Sequence, residues 1–145
     1  METLLAILHV VGAVFIVGPL AILPMTGLRA LRAGQAGQVS TLAKSISITT
    51  YLSVLVIIFG FGLMSLADPK YNLSVATPWI WISLVAWAIA VVLTLALVVP
   101  SLKKAAAGLA SGGTVDSSSY PRIAAGSGIT ALLLVLVVVL MVWKP

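Results

Sequence analysis

The chain has 145 residues, of which 61% are hydrophobic, only 8% are charged and none is Cys, with a formal net charge of +5. Soluble domains carry about 25% Asp, Glu, Lys and Arg, so this chain has too little charge to wet a folded surface. Together with a mean hydropathy of +1.24, that excludes a soluble globular domain, a disordered chain and a disulfide-stapled secreted scaffold. The eight basic residues are scattered and form no stripe, so nucleic acid is not an expected partner. A lipid bilayer is.

Four apolar stretches are long enough to cross a bilayer, which takes about 20 residues at a 1.5 Å rise. They predict an all-α integral membrane protein, a single four-transmembrane-helix bundle over residues 1–145. The first span, Thr3–Leu23, holds the only His of the chain, His9. Gly18 and Pro19, with Pro24 just beyond, predict a bend in its second half. The segment Pro24–Ser45 reads as a long connection carrying Arg29, Arg32 and Lys44 without an acid. The second span, Ile46–Ala67, is preceded by Ser45 and carries Thr49, Ser53 and Gly60 on one face at helical spacing; Asp68-Pro69 stops it. Thr77-Pro78 then supplies an N-cap and a first-turn proline for the third span, Pro78–Val99, which contains Trp87. The connection Pro100–Arg122 carries Lys103, Lys104 and Arg122 against Asp116, with Gly112-Gly113 as its most flexible point. The fourth span, Ile123–Trp143, contains the small-xxx-small pair Ala124 and Gly128 with Gly126 and Ser127 beside it, a face that lets helices approach closely. Both inward-running helices end in Pro, then Leu and basic residues, an echo too short to define a repeat.

No span contains Asp, Glu, Lys or Arg, so the sequence shows no buried ion pair or carboxylate proton relay. Arg29, Arg32, Lys44, Lys103, Lys104 and Arg122 belong to the first and third connections, and only Lys70 and Lys144 lie on the other side. The positive-inside rule then predicts those six at the cytoplasmic face and both termini outside. Tyr71, Trp79, Trp81 and Trp143 fall near the outer interface, where amphipathic rings are favourable.

The polar inventory inside the spans is short. His9 is placed about 9 Å below the outer surface and needs a partner, because an unpaired polar group in hydrocarbon costs several kcal/mol. A helix–helix hydrogen bond is the expected one, to Trp87 or a backbone carbonyl. The alternative is a ligand role. Met64 and Met141 share the leaflet of His9, and thioether and imidazole together suit haem iron or copper. A single His excludes a bis-histidine haem within one monomer. Trp87, about 14 Å deep, is expected to pack, with its indole N–H seeking an acceptor. Ser45, Thr49, Ser53, Gly60, Ala124 and Gly128 are expected at helix–helix contacts.

The stretch Leu8-His9-Val10-Val11-Gly12-Ala13-Val14 resembles the Leu-His-Val-x-Gly-Ala opening of an uncharacterised bacterial family of four-span integral membrane proteins, domain of unknown function 2269. Pro100 followed by Leu102-Lys103-Lys104, Tyr120 with Arg122, and the ending Met141-Val142-Trp143-Lys144-Pro145 are similar to that family as well. The resemblance implies a bacterial cytoplasmic (inner) membrane and a four-span fold, and no activity. More distantly, the His of the first span resembles that of the copper-resistance and protoporphyrinogen-oxidase membrane families, which use further His residues in later spans. The expected function is a non-catalytic accessory subunit of a larger membrane complex, such as a respiratory oxidase assembly, with no cofactor. Its expected partners are other integral membrane subunits or a second copy. A haem- or copper-binding redox protein using His9 is the alternative, and a small-solute transporter the third.

Overall fold

The structure, a computed structural model, describes residues 1–145. Four long apolar helices account for most of the chain: α1, Glu2–Arg32; α2, Ala36–Leu66; α3, Pro78–Ala110; and α4, Ser119–Trp143. There is no strand. All four predicted spans lie within these helices to within a residue. They alternate in direction, so the chain termini and the α2–α3 connection share one end, the terminal end. The α1–α2 and α3–α4 connections share the other, the basic end.

The helices run well past the predicted spans at the basic end. Most of Pro24–Ser45, read from sequence as a connection, is helical, and only Ala33, Gly34 and Gln35 link α1 to α2. Charge ends a hydrophobic span but not a helix, since Arg, Lys, Leu, Gln and Ala are all strong helix formers. The turn is made where Gly34 adopts a φ of +72°, a conformation that costs glycine little. The third connection likewise shrinks, because Val99–Ala110 continues α3 and Gly112 turns at a φ of +77°. Asp116 in that turn accepts the backbone N–H of Ser118 at 3.1 Å. This bond, then the Ser118 hydroxyl and the charges of Lys104 and Arg122, holds its carboxyl below the usual value. At the terminal end Asp68 accepts the Lys70 N–H at 3.0 Å and pairs with its ammonium at 3.5 Å. Pro78 opens α3 as expected, but the Thr77 hydroxyl does not cap that helix. It accepts the Ser74 N–H at 3.0 Å and closes the preceding turn.

Proline shapes α1 and α3 in the same way. Each contains one π-helical turn, Ala13–Val17 and Thr94–Val98, in which the N–H of Gly18 donates to Ala13 and that of Val99 to Thr94. Pro19 and Pro100 follow directly. A proline has no N–H and its ring crowds the carbonyl four residues back, so a wider turn before it relieves the clash. Pro24 sits inside α1 as well, fully within the helix.

The two ends pack differently. At the basic end Gly18–Arg32 lies against α2 and α4, and Val99–Ala110 lies against α2. Leu20, Leu31, Val39, Ile46, Val98, Leu102 and Ile123 form a continuous buried core there. At the terminal end Glu2–Gly12 packs mainly on α2, and Pro78–Leu93 packs mainly on α4. The molecule is therefore two hairpins, α1–α2 and α3–α4, sharing one core at the basic end.

The hairpins also share a register. Ile46, Thr50 and Ser53 on α2 match Ile123, Ser127 and Thr130 on α4 in spacing and in nearly complete burial. The π-helical turns match, and Gly27-Leu28 and Gly108-Leu109 lie at the same distance beyond Pro19 and Pro100. The echo in the sequence is thus part of a structural equivalence of the two halves.

Gly126, not Gly128, makes the close approach between α3 and α4. A Cβ on Gly126 would fall 2.8 Å from a methyl of Val98 and 3.2 Å from Leu97, whereas one on Gly128 would meet nothing within 4 Å. Val98 is fully buried and β-branched, so it cannot swing aside. Gly126→Ala is expected to lower stability in detergent by about 1–3 kcal/mol through overpacking. Gly128→Ala is expected to raise it by about 0.5–1 kcal/mol through helix propensity. Thermal unfolding followed by circular dichroism reads both signs.

Candidate functional site: the His9 seat and the buried hydroxyl seam

Leu5, His9 and Gly12 recur at helical spacing along α1 and make the face that meets α2. All three are matched to small or shaped positions there. Leu5 fills the space over Gly62, the His9 ring lies over Gly60, and Gly12 admits the side chain of Val56. His9 Nδ1 is 2.8 Å from the backbone carbonyl oxygen of Val56. A carbonyl only accepts, so Nδ1 carries the proton and donates, and Nε2 of the neutral ring keeps its lone pair. Gly60 is what lets the ring sit there: a Cβ would lie 3.0 Å from Cε1 and 3.3 Å from Nδ1. The backbone-carbonyl partner is the one of the two expected for His9 that the geometry provides.

Trp87 bonds elsewhere. Its indole N–H donates to Ser53 Oγ at 3.0 Å, and the Ser53 hydroxyl donates to the Thr50 carbonyl at 2.6 Å. Thr50 donates to the Ile46 carbonyl and Thr94 to the Ala90 carbonyl, each at 2.7 Å. Thr94 Oγ1 lies 3.5 Å from Thr130 Oγ1. Ser127 Oγ, fully buried beside them on α4, has no protein partner. These residues form a seam of hydroxyls through the middle of the bundle. Back-bonding to a carbonyl one turn earlier satisfies most of them within their own helix, which leaves little donor capacity for a substrate.

Of the packing residues read from sequence, Ser53, Trp87, Gly60 and Ala124 occupy helix contacts, while Ser45, Thr49 and Gly128 are half-buried. Gly126 and Ser127, beside Ala124 and Gly128 on α4, are buried, as are Thr50, Thr94 and Thr130, which the sequence did not single out. Met64 is half-buried on α2, one turn beyond Gly60; Met141 is half-buried at the terminal end of α4, in the other hairpin. Arg29, Arg32, Lys44, Lys103, Lys104 and Arg122 are all exposed around the basic end, and none pairs with a carboxylate. At the terminal end Lys144 lies over Trp79 and Lys70 over Tyr71, 6.0 and 4.9 Å from the ring centres.

The family model described as "Predicted integral membrane protein (DUF2269)" matches residues 3–145. The chain belongs to this family. Neither a curated protein nor a solved structure matches it. Membership makes it a multi-pass integral membrane protein in contact with lipid, and the four helices fit that description. The family's description assigns no activity to the His9 seat or to the hydroxyl seam.

Because His9 and Gly60 form one contact, their substitutions should not add. His9→Leu is expected to cost about 0.6 kcal/mol, the average for an interhelical hydrogen bond in a membrane, and His9→Gln less. Gly60→Ala pushes the ring off the Val56 carbonyl and should destabilise the wild type more than it destabilises His9→Leu. Unfolding of the two single variants and the double variant in mild detergent measures the coupling.

Proposed function

We propose that the protein acts by association, as a small non-catalytic subunit docked on a larger membrane assembly. The observation that supports this most directly is the packing of the first third of α1. Glu2–Gly12 touches its own molecule through Leu5, His9 and Gly12, while Leu4, Ile7 and Val10 point away, each more than half exposed. In a bilayer, helices pair through shape and small residues rather than through a hydrophobic driving force. An apolar segment attached along one seam offers such a surface. A respiratory oxidase assembly is one host of this kind.

A second reading rests on the His9 bond. A ring whose Nδ1–H is held by a main-chain carbonyl has the tautomer and orientation that metal-ligating imidazoles use, with Nε2 left to bind. Haem iron or copper is the centre this donor would suit.

One preparation tests both. The protein is purified from its native membrane in a detergent that preserves complexes, its co-purifying proteins are identified and its visible spectrum is recorded. A stoichiometric partner and no Soret band are expected. Quantitative purification of the chain alone contradicts the subunit reading, and a Soret band lost in His9→Gln reverses the order of the two.

We also propose that the basic end faces the cytoplasm, on the strength of the six exposed cations there. The chain has no Cys, so Ser74→Cys and Ser118→Cys are clean reporters. An impermeant thiol reagent applied to spheroplasts should label Ser74→Cys and spare Ser118→Cys; the reverse pattern inverts the orientation.

A further inference from the structure

We propose that α2 and α4 tilt apart at the terminal end, pivoting on the basic-end core, with the π-helical turns of α1 and α3 as joints and the Trp87–Ser53 bond as the clasp. Four observations on different parts of the fold converge on this motion. The first is the uneven core: the largest fully buried apolar side chains sit mostly toward the basic end, among them Leu20, Leu31, Ile46, Leu102 and Ile123.

The second is the way the two jointed helices are shared between the straight ones. The terminal half of α3, Pro78–Leu93, packs on α4, but its basic half, Val99–Ala110, packs on α2. If α2 and α4 separate at the terminal end, α3 must bend between those halves. The turn Thr94–Val98 lies at that junction, with Pro100 two residues on. α1 poses the same demand: Glu2–Gly12 follows α2, whereas Gly18–Arg32 is held by both α2 and α4. Its turn Ala13–Val17 again lies at the junction.

The third observation is the contrast with the other pair. α2 contains no proline and α4 only Pro121, in its first turn, so both can act as rigid levers. Helix kinks arise at prolines and π-bulges, and here both devices coincide at the two places where the packing changes partner.

The fourth is the bond pattern. Among side-chain hydrogen bonds between helices, His9–Val56 lies within the first hairpin and Thr94–Thr130 within the second. Only Trp87–Ser53 joins the two hairpins. Trp87 belongs to the half of α3 that moves with α4, and Ser53 to α2, so opening breaks this bond and bares the Ser53 hydroxyl to the cleft.

The test is a pair of spin-label distances in the full chain in lipid nanodiscs, using Cys substitutions at exposed positions. Ser65→Cys with Val142→Cys spans α2 and α4 at the terminal end; Gln38→Cys with Ala125→Cys spans them at the basic end. A two-component distribution is expected at the terminal end and a single narrow one at the basic end. Trp87→Phe should raise the ratio of long to short terminal distances about threefold, the equivalent of one average interhelical hydrogen bond. Pro19→Ala combined with Pro100→Ala should collapse the terminal distribution to one component, with the basic-end distance reporting that the bundle is intact. A single terminal distance in the wild type, equal breadth at both ends, or a terminal distribution that neither variant moves would overturn the proposal.

Discussion

A main chain in hydrocarbon has no water to satisfy its N–H and C=O groups, so each helix must pair its own. Most of the polar detail in this bundle follows from that. Serine and threonine hydroxyls lean on carbonyls of their own helices, as Thr50 does on Ile46 and Thr94 on Ala90. The only imidazole bonds to a main-chain carbonyl of the next helix. Where Pro19 and Pro100 delete a donor, in α1 and α3, the helix widens for a turn instead of breaking. Charge is absent from the interior altogether, and six of the eight basic side chains collect at one end.

With the polar groups settled so locally, helix–helix adhesion falls to shape. Glycine sets the closest approaches: Gly12 and Gly60 between α1 and α2, Gly27 between α1 and Leu102 of α3, and Gly126 between α4 and the wide turn of α3. These contacts tie the first hairpin along its length, while the two hairpins meet chiefly at the basic end. The equivalence of Ile46, Thr50 and Ser53 with Ile123, Ser127 and Thr130 places a similar hydroxyl ladder in each half. Trp87 breaks that likeness by reaching across to Ser53.

The spans were legible because lipid imposes a hydrophobic length and this chain keeps every charge outside it. Helix ends at the basic side were not, because the apolar runs stop at Leu23 and Val99, where proline and then basic residues follow, while the helices, built of good formers, run on to Arg32 and Ala110. On α2 the spacing pointed to Ser53, which is buried, but to Thr49 where Thr50 is the buried hydroxyl; on α4 it marked Ala124, Gly126, Ser127 and Gly128 together without ranking Gly126 as the close approach. Uniformly apolar helices lack the polar stripe that marks a face in a soluble protein, so spacing alone could not rank neighbouring small residues. His9 and Gly60 were each conspicuous, but their contact depends on the pairing of α1 with α2. The proline echo was visible too. Its meaning emerged only with the π-helical turns and the register of the buried hydroxyls.

The central claim is that two hairpins are joined at the basic end and paired separately at the terminal end. Disulfide cross-linking in native membranes tests it directly, since no natural Cys interferes. Gly27→Cys with Leu102→Cys, across hairpins at the basic end, should cross-link rapidly, and so should Leu5→Cys with Gly62→Cys within the first hairpin. Leu5→Cys with Leu140→Cys, across hairpins at the terminal end, should remain reduced over the same time. Cross-linking of that last pair as fast as the first two would contradict the account.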